Sequence, residues 1–436
     1  MSRTFESLRY YNYRLWLAGT TVASTGTWMQ RVAQDWLVLR VLTDNDAFQV
    51  GVVTALQFLP LLLISPLAGA VADRVNRRHL LQITQSTMGL LGLILGVLVL
   101  TNTTQLWMVY VLAFLGGIAQ AFDSPARQAF VSELVPLGNL PNAVGLNSAA
   151  FNTARLIGPA VSGLVIEWVG MGPVFVINAV LFLGPVVALA LMRVSELHTP
   201  PTMRRSRGQI RQGFDYIRHR SDIIAILIIM GVVSAFGLNF QMTSALMATE
   251  VFGKGAGQYG LLGSVMAIGS LVGALLAARR SQPRLRLIVG SAIAFAICEV
   301  GLALAPTYTW FALLAIPTGL SSLTLITAAN AAVQMSTPPE LRGRVMSLYM
   351  MIFLGSTPIG APLIGWVGDQ FGARWSLGVG AIASMVVAVG IGLWAALHWK
   401  VRLQVDRDSH RLRAIGPADR AALEQQMVEE ELAADD

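Results

Sequence analysis

Apolar runs of about 20 residues recur along this chain, and a run of that length crosses the hydrocarbon core of a bilayer as one helix. Twelve candidate spans can be marked, at 14–40, 48–72, 79–101, 106–131, 142–168, 171–193, 222–250, 257–279, 285–305, 308–335, 343–368 and 374–399. Several are longer than a perpendicular helix needs, which allows tilt or extension beyond the bilayer. Such a chain has few folds open to it. In hydrocarbon each backbone N–H and C=O must be paired within its own segment, so the spans are helices and the irregular connections lie outside. Only 13% of the 436 residues are charged and 54% are hydrophobic, whereas soluble domains are about a quarter charged. The expected class is an all-α integral membrane protein.

The formal charge is +7, from 31 Lys+Arg against 24 Asp+Glu. In a soluble protein that balance would suggest nucleic acid. Here the basic residues lie in alternate connections, which explains them without a nucleic-acid partner. Odd-to-even connections hold only Arg40, Lys254 and Arg374; the others hold Arg74, Arg77, Arg78, Arg204, Arg205, Arg207, Arg211, Arg279, Arg280, Arg284 and Arg286. Basic loops stay on the cytoplasmic side, so both termini are expected there, with the bilayer itself as a partner. Trp107, Trp168, Trp310 and Trp375 fall at outer span ends, as an aromatic belt would. The N-terminal 14 residues show no cleavable signal pattern, so the first span would act as its own insertion signal.

The polar stretch 194–221 divides the spans into six and six. The expected organisation is an N-terminal bundle at 1–193, a cytoplasmic linker at 194–221, a C-terminal bundle at 222–400 and a cytoplasmic tail at 401–436. The halves look alike at a constant offset. Pro136, Gly158, Gly163, Glu167 and Gly170 correspond to Pro338, Gly360, Gly365, Asp369 and Gly372. This sets span 5 on span 11, and two related six-helix halves are a transporter organisation. The tail is soluble in character, with a short helix expected over 417–432 whose acidic end opposes its dipole.

Ionisable groups within spans are informative, because each costs roughly 2.5–3.5 kcal/mol at a helix centre on insertion scales. In span 1, Arg31 and Asp35 stand four residues apart on one face, with Thr27 and Gln34 roughly alongside. They read either as a neutralised structural pair or as a proton site. In the second case a cavity carboxylate loads and unloads a proton, and Arg31 holds it charged until substrate or conformation separates them. In span 4, Asp123 and Arg127 repeat the spacing near the cytoplasmic end, as a lock or a gate, with Pro125 expected to bend the helix between them. In span 5, Ser148, Asn152, Arg155, Pro159 and Ser162 form one polar stripe. Arg155 lies about 18–20 Å from the cytoplasmic end at 1.5 Å per residue. Its partner is Asp35 or the carboxylate of an anionic substrate, and Gln34, Ser148, Asn152 and Arg155 are candidate cavity residues. Glu299 in span 9 reads as a second proton site or a protonated packing residue, and Met346, Met350 and Met351 as packing between helices.

Other chemistries leave no trace. No G-x-x-x-x-G-K-[ST] loop or G-x-S-x-G elbow is present. The single Cys298 permits no intrachain disulfide, and all five histidines, His79, His198, His219, His398 and His410, lie at or beyond membrane edges. No metal, cofactor or catalytic role is expected, and transport would draw on an ion gradient.

The loop after span 2 reads Gly69-Ala70-Val71-Ala72-Asp73-Arg74-Val75-Asn76-Arg77-Arg78. Gly69 permits close helix approach, Asp73 suits a helix N-terminus, and the arginines hold the loop inside. It resembles the G-x-x-x-D-R-x-G-R-R/K loop of the major facilitator superfamily, with Asn76 in place of the second glycine. Asn tolerates a left-handed backbone, which would preserve the turn. Gly158-Pro159 and Gly163 resemble the G-P-x-x-x-G element in span 5 of that superfamily's exporters, without the further glycine that usually precedes it. Trp28-Met29-Gln30, Asp35-Trp36-Leu37-Val38, Phe122 to Gln128 and Asn142 to Ser148 are similar to the enterobactin-exporter-like branch, also called transmembrane secretion effectors.

The resemblance implies the major facilitator fold of twelve helices in two pseudo-symmetric six-helix bundles, a central cavity, alternating access and a functional monomer. It implies proton-coupled export of small amphiphiles such as drugs or siderophores across a bacterial inner membrane. In that reading Asp35 exchanges protons, Arg155 orients or neutralises a substrate or carboxylate, and Asp73 with Arg127 latches the cytoplasmic side. An uptake permease on the same fold, or a membrane sensor that moves nothing, remains the alternative.

Overall fold

The computed structural model describes residues 3–72, 74–198, 209–278, 285–398, 402–405 and 412–415. The twelve predicted spans are present as helices. Span 1 is Tyr11–Trp36, continued by a π-helical turn Leu37–Leu42. Spans 2 to 6 are Ala47–Ala72, Arg77–Leu100, Leu106–Leu134, Leu140–Val169 and Gly172–Leu191. Spans 8, 9, 10 and 12 are Ala256–Ala278, Leu285–Leu304, Tyr308–Met335 and Ala373–His398. Eleven of the described spans are long and apolar enough to cross a membrane. Span 1 is the twelfth; Gln30, Arg31, Gln34 and Asp35 make it more polar than the rest. Trp107, Trp168, Trp310 and Trp375 are each more than half exposed, all at the end of the bundle opposite the chain termini.

Two spans expected to be continuous are broken. Span 7 runs Ser221–Phe236, stops, and resumes as Phe240–Leu246 with a π turn Met247–Val251. Gly237 weakens the helix there, and Asn239 Nδ2 donates to the freed Ala235 carbonyl at 2.7 Å. Span 11 is Pro339–Gly355 and Thr357–Phe371, divided at Ser356. Pro358 has no N–H for the preceding turn. Span 4, by contrast, runs unbroken through Pro125. The connection between the halves contains a helix, Gln209–Ile217, not anticipated from sequence. In the tail, Arg402–Val405 pairs antiparallel with Leu412–Ile415. The helix expected over 417–432 lies outside the described residues.

The internal similarity has a structural counterpart. Gly170 and Gly372 end spans 5 and 11 in the same left-handed conformation, at φ 86° and 92°. Span 5 packs against span 8, where a Cβ on Gly163 would come 2.6 Å from Ala256 O. Span 11 packs in the same way against span 2, where a Cβ on Gly365 would strike Ala47 O. The acidic residues match too. Asp369 accepts hydrogen bonds from Ala47 N and Phe48 N, at 2.7 and 2.8 Å, at the N-terminus of span 2. The Glu167 carboxylate lies against Gly257 in the first turn of span 8. Carboxylates at helix N-termini are favourably placed, and here each one joins the two halves.

The apolar cores show how the halves meet. At the end opposite the termini, one core is shared: Val32, Leu37 and Val53 pack with Leu246, Leu262 and Ile364. At the termini end each half has its own, around Trp16 and Phe130 in the first and Met230 and Phe295 in the second. The halves therefore converge at one end and separate at the other.

Gly365→Val places a branched side chain against span 2, and overpacking of this kind costs about 1–3 kcal/mol. The thermal unfolding midpoint of the detergent-solubilised protein should fall. Gly145→Ala, where an added Cβ meets nothing within 4 Å, should leave it unchanged or raised. Equal effects would mean that close approach of spans 2 and 11 does not limit stability.

Candidate functional site

Span 1 places Asp35 at the convergent end, 9% exposed. Its Oδ2 accepts a hydrogen bond from Tyr259 Oη of span 8 at 3.1 Å. Trp36 stacks on the same tyrosine ring, at 5.9 Å and 17°. Asp35 is thus tied across the two halves. The ion pair with Arg31 expected from the four-residue spacing does not form. The Arg31 guanidinium turns instead onto the rings of Trp28 and Phe58, 5.0 and 5.9 Å from their centroids. The helical face permits the pair, but Tyr259 holds the carboxylate on one side and the aromatic rings draw the arginine to the other.

Arg155 does not pair with Asp35 either. Its guanidinium lies 5.5 Å from the centroid of the same Trp28 ring. Two cations therefore share one indole. Among the described residues neither guanidinium has a hydrogen-bond or ion-pair partner. A cation–π contact is worth about 0.5–2 kcal/mol, less than the roughly 2.5–3.5 kcal/mol cost of an arginine at a helix centre. The rings alone do not compensate the two charges, so a wet cavity or an anion must. Trp28 is itself fixed, with Gly158 packed against its Cβ and Phe151 edge-on at 5.9 Å.

Beside Arg31 a cavity of about 90 Å³ opens within the first half. Gln30, Gln34, Gln57 and Gln120 supply amides, and Phe58 and Met88 apolar surface. Among the described residues no acidic side chain lines it. Of the span 5 stripe, Ser148 is exposed and Asn152 is partly so, its amide bonded to Ser148 O at 2.8 Å. Ser162 is buried and donates to Met29 O of span 1 at 2.8 Å. Gly158 and Gly163 let spans 1 and 8 approach on either side. Pro159 packs on Gly263, and Ala160 N donates to Ser264 Oγ across the halves at 3.1 Å.

At the termini end, Gly69 lies in the last turn of span 2 and Arg74 is exposed. Asp73 lies outside the described residues. Asn76 is not left-handed: its φ is −63°, and it caps span 3 by accepting from His79 N. The turn is closed by a side-chain cap. Arg77 pairs with Glu133 of span 4 at 2.6 Å, and Arg78 donates to Leu189 O and Ala190 O at the C-terminus of span 6. Asp123 is paired with Arg127 at 2.5 Å and accepts from Thr84 and Gln85 of span 3 at 2.9 and 2.6 Å. These ties lie within the first half. Glu299 is 2% exposed, with Oε2 unpartnered and the carboxyl facing Gly380 of span 12 beside the span 7 break. Of the methionines read as packing residues, Met346 packs on the second-half core, whereas Met350 and Met351 are exposed.

Sequence reasoning missed Tyr259, Trp28, Glu133 and Asp46. Tyr259 and Asp35 are 224 residues apart, and no local pattern links them. Trp28 was visible in the sequence only as part of a family-like tripeptide. Glu133 lies just past the predicted end of span 4, where a carboxylate looks like an ordinary loop residue. Asp46 accepts from Gln49 at the start of span 2 and looks like a capping residue.

A family model described as transmembrane secretion effector matches residues 2–419. A staphyloferrin A transporter of Staphylococcus aureus is 24% identical over 393 residues, covering 88% of this chain and 96% of that one. A macrolide efflux protein A of Streptococcus pyogenes is 24% identical, covering 86% and 94%. A multidrug efflux pump Tap of Mycolicibacterium fortuitum is 25% identical, covering 82% and 89%. Among solved structures, a POT family transporter superposes with a TM-score of 0.74 at 12% identity, over 88% of this chain and 96% of that one. A D-xylose–proton symporter gives 0.67 at 14%, over 88% and 97%. The likeness to these structures shows the twelve-helix fold.

Tyr259→Phe removes a hydrogen bond worth about 0.5–1.5 kcal/mol and should loosen the convergent end. Spin labels on Asp44→Cys and Lys254→Cys, in a Cys298→Ser background, should then report a longer inter-label distance by double electron–electron resonance. An unchanged distribution would mean that this bond does not hold the ends together.

Proposed function

The chain belongs to the transmembrane secretion effector family of major facilitator transporters, which are carriers rather than enzymes; on that premise we propose that it is a proton-coupled exporter of small amphiphilic molecules, working by alternating access in a bacterial inner membrane. The placement of basic loops favours cytoplasmic termini, which makes the separated end cytoplasmic and the convergent end external. The conformation is then inward-facing.

One observation carries the proposal. Asp35, a titratable group in a membrane span, is bonded to Tyr259 at the contact that closes the external end. A proton on Asp35 removes a charge that closure must bury. Taking up a proton while open outward would favour closure, and releasing it inward would prepare the carrier for substrate. Proton movement and gate movement are then two biases on one equilibrium. Glu299 is a second candidate proton site within the C-terminal half. Arg127 is held by Asp123, so a latch to Asp73 requires it to exchange partners during the cycle. Relatives named for siderophore, macrolide and multidrug transport support the amphiphile class. The protein would act as a monomer, since each chain carries both halves.

In inverted membrane vesicles under an imposed proton gradient, wild-type protein should drive uptake of labelled amphiphiles with substrate-induced proton release. Asp35→Asn should abolish the gradient-driven component. Uptake that persists in this variant would move the proton site to Asp123 or Glu299. Accumulation only in right-side-out vesicles would overturn export in favour of uptake into the cell.

A further inference from the structure

The export reading leaves open which amphiphiles are carried, and the arginine pair bears on this. We propose that Arg31 and Arg155, held over the indole of Trp28, bind an oxyanion on the transported molecule, so that the substrates are carboxylate-bearing amphiphiles. The inference rests on the transporter reading and goes beyond it in naming the charge of the cargo and the residues that hold it.

The two guanidinium carbons lie 5.0 and 5.5 Å from one ring centroid, so one indole gathers two like charges. Neither has an acidic partner among the described residues, although Asp35 is one helical turn from Arg31 and bonds to Tyr259 instead. An arginine stacked on a ring keeps its in-plane N–H fork free, and that fork matches a carboxylate bidentately. A carboxylate brought to these forks would supply the counter-charge that the aromatic ring does not. Trp28 is braced by Gly158 and Phe151, so the platform exists before the ligand arrives. The neighbouring cavity, about 90 Å³, admits part of such a molecule, and the remainder requires the halves to part further. It offers amides from Gln34, Gln57 and Gln120 and apolar surface from Phe58 and Met88, with no carboxylate to attract a cation. Arg31 lines this cavity, and its charge also repels cationic amphiphiles, which gives discrimination as well as affinity.

Another source of the same chemistry is a lipid headgroup phosphate, and the test separates the two. The full-length protein is placed in phosphatidylcholine nanodiscs and titrated calorimetrically with naphthylacetate, naphthaleneethanol and naphthalenemethylammonium. These three probes share a ring system and differ in charge. Naphthylacetate should bind at least about tenfold tighter than the other two, as a bidentate charged contact requires. Arg31→Gln and Arg155→Gln should each remove most of that preference while leaving naphthaleneethanol affinity within about twofold, because only the charged contact is lost. Equal affinities for the three probes in the wild type would overturn the inference without reference to any variant. A preference that survives in the double variant would overturn it as well. Loss of naphthylacetate binding when phosphatidylglycerol is added to the nanodiscs would assign the site to lipid and overturn the substrate class. Binding needs neither gradient nor turnover, so failure of vesicle export leaves this result standing. Asp35-dependent export of cationic amphiphiles alone would keep the exporter and sink the anion site.

Discussion

The close approach of helices at one end of the molecule is the constraint on which the rest depends. In a bilayer there is no hydrophobic drive to press one apolar helix on another, so association relies on tight packing and a few polar contacts. Spans 5 and 8, and spans 11 and 2, meet through Gly163 and Gly365, where a side chain would strike opposing backbone. Asp369 then fixes the start of span 2 through two backbone amides. These contacts join the halves at the end where the apolar core is shared. They also decide where the halves are free to part, because the other end has two separate cores.

The polar groups divide according to that geometry. Asp123 has three partners and sits inside one half, so it stiffens the bundle as a unit. Arg77 with Glu133, and Arg78 on the carbonyls of span 6, do the same at the termini end. Asp35 is different, since its bond to Tyr259 crosses from the first half to the second, the units that would part under the proposed alternating access. Arg31 and Arg155 are different again: both lie against the Trp28 ring, and among the described residues neither has a hydrogen-bond or ion-pair partner. Ties within one half, a bond between the halves and cations held on an aromatic ring are three distinct uses of the same residue types.

Much of this was legible in the sequence. Span length and hydropathy gave all twelve helices, because a bilayer leaves the backbone no other way to pair its polar groups. The match of Gly158, Gly163, Glu167 and Gly170 with Gly360, Gly365, Asp369 and Gly372 anticipated the paired packing of spans 5 and 11. The spacing of Ser148, Asn152 and Arg155 predicted a polar stripe, but none of the three lines the cavity beside Arg31. These are properties of one helix, or of a helix and its repeat, and they follow from local chemistry.

The breaks in spans 7 and 11, the cap made by Asn76 and the partners of the buried charges were decided by tertiary structure. The four-residue spacing of Arg31 and Asp35 allows an ion pair, yet Tyr259, 224 residues from Asp35, takes the carboxylate. Trp28 takes both arginines. A sequence states which side chains share a helical face; which of several possible partners wins depends on what the neighbouring helices bring within reach. The amino-acid sequence by itself determined the spans and the repeat. Only the folded arrangement of the two halves decided that the aspartate joins them and that the arginines stay unpaired.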